Sequence, residues 1–344
     1  MRRPIFHNSH TTELSENATI EKYETALRTF FGARYCIALS SGTAALIAAL
    51  HAIGIEEGDE VITSPAAPLC TAYPILSRKA ELLFTDIQQD NFGLDLAAME
   101  KLLSPHTRAI IEVPMWGYSF PADQVRSWAR DRGLALIFDL AHCTGAQYKN
   151  KPLSAFCDIA CFSTQKNKVF STGEGGFLLT DNESWYIRAC MYSRMGELNG
   201  IDFGLNFKIS HLQARAGIEG LIDLPNNLAR RRYNSEMIAG SITHPNIEAF
   251  PLLQDGCPNY QRLILRTKNG AAGLAQYMEK NNIPSDIIKY KVRPLYDYPI
   301  LSGVKRSCPN AEHTLETMTT IPVHVNYTME QLYDIIDVIN RCPV

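Results

Sequence analysis

The sequence predicts an α/β protein: a large lobe with a mostly parallel sheet covered by helices, then a smaller C-terminal lobe. Three observations carry this. Short apolar strands alternate with helical patterns through the first two thirds of the chain, as buried parallel strands do. The character changes after about residue 230, where strands become shorter and sparser. A length of 344 residues suits one substantial core or two unequal lobes. The division is placed at residues 1–232 and 233–344.

The elements follow in order. Residues 21–31 read as a helix stopped by Gly32, and 35–39 as a short apolar strand. Ser40-Ser41-Gly42-Thr43 opens a helix over 44–53 that Gly54 closes. Residues 60–63 and 82–84 read as strands, 94–103 as a helix, and 109–113 as a strand. A helix over 122–132 ends at Gly133, and a strand over 134–138 leads to Asp139. Strands follow at 159–162 and 176–180. A long helix spans 211–232 with an interruption at Pro225, and the last part holds a strand at 262–266 and a closing helix at 329–339.

Composition excludes several function classes. The chain is 46% hydrophobic and 20% charged with a formal net charge of −3, so neither a nucleic-acid nor a membrane-surface partner is implied. Arg230, Arg231 and Arg232 fall in a helical pattern and read as a solvated face. Nine cysteines occur without a CxxC pair or zinc spacing. Buried free thiols in a reducing compartment are the expectation. The first residues, Met1 to His7, lack an apolar core of signal-peptide type, and no apolar run reaches membrane-spanning length. The expected location is the cytoplasm.

In such sheets ligand sites gather at the carboxyl ends of strands. The turn before Thr43, Asp139 and Ser163 all fall at such ends. Lys168 follows Ser163 and precedes the glycine-rich turn Thr172-Gly173-Glu174-Gly175-Gly176. A lysine able to form a Schiff base, with a carboxylate able to hold a pyridinium nitrogen, is the minimal apparatus of pyridoxal phosphate chemistry. Lys166 and Lys151 compete for the lysine role. A solvent-facing lysine is the plain alternative. In this reading Asp139 keeps the ring nitrogen protonated, and the ring cation depresses its pKa. His142 is a candidate for the cofactor's phenolic oxygen or simply a turn histidine. Gly42 and Thr43 offer N–H groups and a helix dipole to a phosphate, or form an ordinary cap. Ser163 adds a hydroxyl or is a turn serine.

Taken together, Ser41 to Leu46, Gly58 to Ile62, Asp139 to Ala146, Phe162 to Gly176 and Gly204 to Ala214 resemble the DegT/DnrJ/EryC/StrS sugar aminotransferases. These are PLP enzymes of fold type I in the aspartate aminotransferase superfamily. The resemblance implies a large domain with a mostly parallel mixed sheet between helices, plus a smaller C-terminal α/β domain. It implies a homodimer with shared active sites. Lys168 carries the cofactor and shuttles the proton, Asp139 pairs with the pyridine nitrogen, and His142 lies near the ring oxygen. Gly42, Thr43 and Ser163 hold the phosphate, and Asn206 reaches it from the partner subunit. The implied reaction moves an amino group, from glutamate or glutamine, to a keto carbon of a nucleotide-linked sugar. A keto cyclitol or other ketone, a PLP-dependent elimination, and a non-catalytic regulator are the alternatives. The sugar dehydratase branch replaces the lysine with His, so Lys168 speaks against elimination. Three stretches depart from the family. Leu69 stands where an aromatic residue often covers the ring, Pro114-Met115-Trp116-Gly117-Tyr118 replaces a His-containing element, and Lys289-Tyr290-Lys291 replaces His-Tyr-Pro. Lys289, Lys291, Arg293 and Arg230 are candidates for a substrate diphosphate or equally surface charges.

Overall fold

The computed structural model describes residues 9–268, 270–304 and 306–343, and side chains from residue 18 onward. The stretch Met1 to His7 lies outside the described residues. The large lobe is built on seven strands: β1 (Tyr35–Leu39), β2 (Glu60–Thr63), β3 (Glu81–Phe84), β4 (Thr107–Glu112), β5 (Ala135–Asp139), β6 (Ile159–Ser163) and β7 (Gly176–Thr180). They lie in the order β1-β7-β6-β5-β4-β2-β3. β7 pairs antiparallel with both neighbours, and the remaining pairs are parallel. The sheet is therefore mixed and mostly parallel. β6 and β7 are buried along their whole lengths, which is why both read as unbroken apolar runs rather than alternating ones. Their register sets Phe162 opposite Phe177, with rings stacked at 4.4 Å.

Helices α1 (Ser9–Phe31), α2 (Gly42–Ile53), α3 (Leu69–Ser77), α4 (Leu96–Glu100), α5 (Ala122–Asp131), α6 (Glu183–Ser193) and α7 (His211–Gly240) flank this sheet. α2 is rich in alanine and buries Ala44, Ala45, Ala48, Ala49 and Ala52. Small side chains let it lie close to the sheet while α3 and α6 pack on it. The smaller lobe is a three-stranded antiparallel sheet, β8 (Ile247–Ala249), β9 (Leu263–Thr267) and β10 (Met318–Ile321), in that order. With it come α8 (Ala272–Lys280), α9 (Asp286–Tyr290), α10 (Pro309–Thr317) and α11 (Met329–Asn340).

Several expectations change. The helix expected over 94–103 contracts to α4. Leu94 bridges Ile87, and its N–H is held by the Glu112 carboxylate at 3.0 Å, so Asp95 becomes the cap. α3 did not stand out in the sequence, because Pro68 and Pro74 give its stretch a loop-like composition. Pro225 does not end α7, which runs on to Gly240. The expected division at 232/233 thus lies inside a helix. Arg231 is not on a solvated face: it is buried, and Arg232 is half-buried. Arg231 spends its guanidinium on the carbonyls of Tyr260 and Gln261, and Arg232 on those of Pro258 and Gly145. A helix-period pattern shows where arginines fall, not that backbone carbonyls wait opposite them.

Candidate active site

The carboxyl ends of β1, β2, β4, β5 and β6 open into a cavity of about 570 Å³. Lys168 lines it, half-buried, from the loop joining β6 to β7. That loop is closed at its base. The Thr164 N–H donates to the Gly175 carbonyl at 2.9 Å, and the Thr172 N–H to the Thr164 carbonyl at 2.8 Å. The hydroxyls of Thr164 and Thr172 meet at 2.6 Å. Lys166 and Lys151 are exposed and do not line the cavity, so of the three lysines Lys168 alone lines it. Burial pulls the Lys168 ammonium below its ordinary pKa. The Cys70 thiol, Asp139 and Asp286 oppose that pull, and Arg262 adds to it.

Asp139 ends β5 and is buried, 3% exposed. One carboxylate oxygen accepts the Thr71 hydroxyl at 2.6 Å, the other the Ala141 N–H at 3.1 Å. Burial raises its pKa, against the lowering effect of those two donors and of Lys168. The expected depression is therefore opposed by the protein itself and depends on a cation beside the carboxylate. His142 follows on the next turn. Its Nδ1 accepts the Trp116 N–H at 3.2 Å. With Nδ1 engaged as acceptor, the neutral ring carries its proton on Nε2. Burial, with the charges of Lys168 and Arg262, holds its pKa well below the usual histidine value, so the ring is neutral.

A third group of residues makes an anion cradle. The Ser41 hydroxyl caps α2 by accepting the Ala44 N–H at 3.0 Å, which leaves the first-turn N–H groups of Gly42 and Thr43 for an external acceptor. Ser163 faces the same cavity. A Cβ on Gly42 would sit 2.9 Å from the Ser163 Cβ, so glycine is what lets the helix end meet the strand end. Leu69, first residue of α3, also lines the cavity.

Gly42, Thr43, Leu69, Asp139, His142, Ser163 and Lys168 thus share one cavity. Asn206 does not line it in this chain: it is exposed on the segment that bridges Arg194. Arg293 lines the cavity, its guanidinium 4.2 Å from the Tyr298 ring centre. Lys289, Lys291 and Arg230 lie outside it. No disulfide forms among the described residues, and Cys70, Cys157 and Cys257 are not buried as expected; Cys70 opens onto the cavity wall. Residue-type reasoning missed Thr71, Trp116, Asp286 and Gln261. Thr71 carries no motif, and its role depends on α3 placing it against Asp139. The last two come from the C-terminal lobe, far away in the chain.

A buried carboxylate at a strand end and a desolvated lysine on one cavity, beside a helix N-terminus with free N–H groups, are the groups that pyridoxal phosphate chemistry needs. The DegT/DnrJ/EryC1/StrS aminotransferase family model matches residues 8–340, and the chain belongs to that family. It is a PLP-dependent aminotransferase. An uncharacterized protein of Methanocaldococcus jannaschii is 31% identical over 356 residues, covering 93% of this chain and 89% of the relative. The UDP-4-amino-4,6-dideoxy-N-acetyl-beta-L-altrosamine transaminase of Helicobacter pylori is 24% identical over 348 residues, 97% of this chain and 92% of the relative. Among solved structures, the sugar aminotransferase CalS13 from Micromonospora echinospora superposes with a TM-score of 0.86 at 22% identity, covering 94% and 91% of the two chains, and shares the fold. The residues present fit the cofactor. The first-turn N–H groups of Gly42 and Thr43, beside the Ser163 hydroxyl, suit a phosphate, and Asp139 and Lys168 line the same cavity. Among the described residues, no helix is long and apolar enough to cross a membrane.

Proposed function

We propose that the enzyme transfers an amino group from glutamate or glutamine to a keto carbon of a nucleotide-linked sugar in the cytoplasm. The observation that carries the reading is the placement of Lys168 and Asp139 on one cavity while neighbouring lysines stay on the surface. When bound, pyridoxal phosphate supplies an electron sink for charge developing at the carbon bonded to nitrogen. Lys168 would bear the cofactor and move the proton. Its desolvation favours the neutral amine, the form able to take a proton. Asp139, pinned by Thr71 and the Ala141 N–H, would hold a positive ring nitrogen. With Nδ1 occupied by the Trp116 N–H, the Nε2–H of His142 would be the donor available to the cofactor's ring oxygen. Leu69 would cover the ring by apolar contact, and Gly42, Thr43 and Ser163 would hold the phosphate.

Asn206 completes the phosphate site of a second copy. Support comes from the apolar surface around it: Ile201 and Phe203 are 86% and 74% exposed, with Leu198 and Leu212 nearby. An apolar patch of that kind is what a symmetric dimer covers. Arg293, on the cavity wall, is the cation placed to meet a substrate diphosphate. Cysteines that form no disulfide among the described residues suit the reducing cytoplasm. The test is a screen of nucleotide-linked keto sugars, free keto sugars and keto cyclitols with glutamate and glutamine as donors. Turnover confined to nucleotide-linked substrates, with KM raised at least tenfold in Arg293→Ala, is expected. Equal or better turnover of a cyclitol or a free sugar would overturn the substrate assignment.

A further inference from the structure

Asn259 and Gln261 are amide residues with 0% and 5% exposure. A buried amide costs free energy unless both its ends are matched. Both are matched, and their partners flank two residues that face the cofactor. The Gln261 side-chain NH2 donates to the Asn167 carbonyl at 2.6 Å, and its oxygen accepts the Val169 N–H at 3.1 Å. These are the two peptide groups on either side of Lys168. The side chain therefore stands where a residue of a parallel neighbouring strand would stand, opposite Lys168. The Asn259 NH2 donates to the carbonyls of His142 at 3.0 Å and Thr144 at 2.9 Å. Its oxygen accepts the Gln261 N–H at 2.8 Å, which ties the two amides together.

The strap is held in an unfavourable backbone shape. Tyr260, between the two amides, has φ +48°, the left-handed region that bulky residues avoid. Arg231 of α7 fixes it by donating to the Tyr260 and Gln261 carbonyls. On the other side, Gly117 at φ +94° leaves no room for a Cβ, which would lie 1.8 Å from the Asn259 oxygen. Gly117 belongs to the turn whose Trp116 N–H fixes the His142 ring.

We infer that residues 259–261 form a positioning strap, in which Gln261 sets the backbone from which Lys168 reaches the cofactor and Asn259 sets the turn that carries His142. The inference rests on the reading of Lys168 as the cofactor-bearing residue. Gln261 acts through Lys168 and is a positioning residue. The amide supplies both a donor and an acceptor to the two peptide groups. Leucine supplies neither, and glutamate at neutral pH only accepts.

The test compares purified full-length wild type, Gln261→Leu and Gln261→Glu. Two readouts are used: amide hydrogen exchange over residues 165–172, and the pH midpoint of the visible cofactor band. Expected are at least tenfold faster exchange confined to that segment in Gln261→Leu, a smaller increase in Gln261→Glu, and a band midpoint displaced by about one pH unit or more. Wild-type exchange in the segment with an unmoved midpoint would overturn the strap. So would faster exchange spread evenly over the sheet, which marks general destabilisation. If Gln261→Leu does not fold, Gln261→Glu carries the same two readouts. A wild-type protein without a cofactor adduct on Lys168 would sink the functional reading, while the exchange measurement would still decide whether Gln261 holds the loop.

Discussion

At the scale of single residues, the site turns on how a buried carboxylate is kept useful. Burial alone favours the neutral form of Asp139, and two hydrogen bonds and a nearby lysine lean the other way. Asp139→Asn removes the charge that holds a ring proton while preserving shape. The expected result is a folded, cofactor-binding protein slower by on the order of 10³-fold in kcat, about 4 kcal/mol of barrier. Steady-state kinetics at saturating donor checks this, and a near-normal rate would remove Asp139 from its role. Thr71→Val deletes one hydrogen bond to the charged carboxylate. Such bonds contribute about 1.5–3 kcal/mol, so kcat should fall roughly tenfold to a hundredfold. Asp139, His142 and Lys168 were legible in the sequence because each ends or follows an apolar strand at the ligand-facing edge. Thr71 and Gln261 were not. A threonine and a glutamine have no chemistry of their own here, and their roles exist only through the partners that folding brings to them.

At the scale of elements, the cofactor cradle depends on the close approach of the α2 N-terminus to the end of β6. Gly42→Ala would place a Cβ 2.9 Å from the Ser163 Cβ, tighter than packed atoms tolerate. One element must shift, at a cost of about 1–3 kcal/mol. Cofactor affinity, read by fluorescence titration, should weaken at least tenfold. Gly240→Ala, where nothing lies within 4 Å of the new atom, should leave it unchanged. Equal affinities in the two variants would show that the contact does not matter. All seven large-sheet strands were legible to within two residues at either end. Buried parallel strands announce themselves as short apolar runs between turn signals. Helix extents were less legible. The 94–103 pattern is helical by period, but Glu112 captures the Leu94 N–H and shortens the helix from outside. α7 carries Pro225 in its interior, and the cost of that residue is outweighed by the buried stripe Leu221, Leu224, Leu228 and Arg231.

At the scale of the whole molecule, the lobes meet at the cavity. Lys168, Asp139 and the phosphate cradle come from the large lobe, and Asp286, Tyr290 and Arg293 from the C-terminal part. If Asn206 serves a second copy, each copy is incomplete alone. Mixing inactive Lys168→Ala chains with inactive Asn206→Ala chains, after dissociation and reassociation, should then restore about a quarter of wild-type activity. Half of the dimers would be hybrids, each with one intact site. No recovery in the mixture would place Asn206 outside the site. The central claim, that Lys168 bears the cofactor, is met most directly by borohydride reduction of the purified protein followed by peptide mass mapping. A single pyridoxyl adduct on the peptide containing Lys168, at residue 168 itself, is the expected result. An adduct on Lys166 or Lys151, or none in a protein that has bound pyridoxal phosphate, would contradict it.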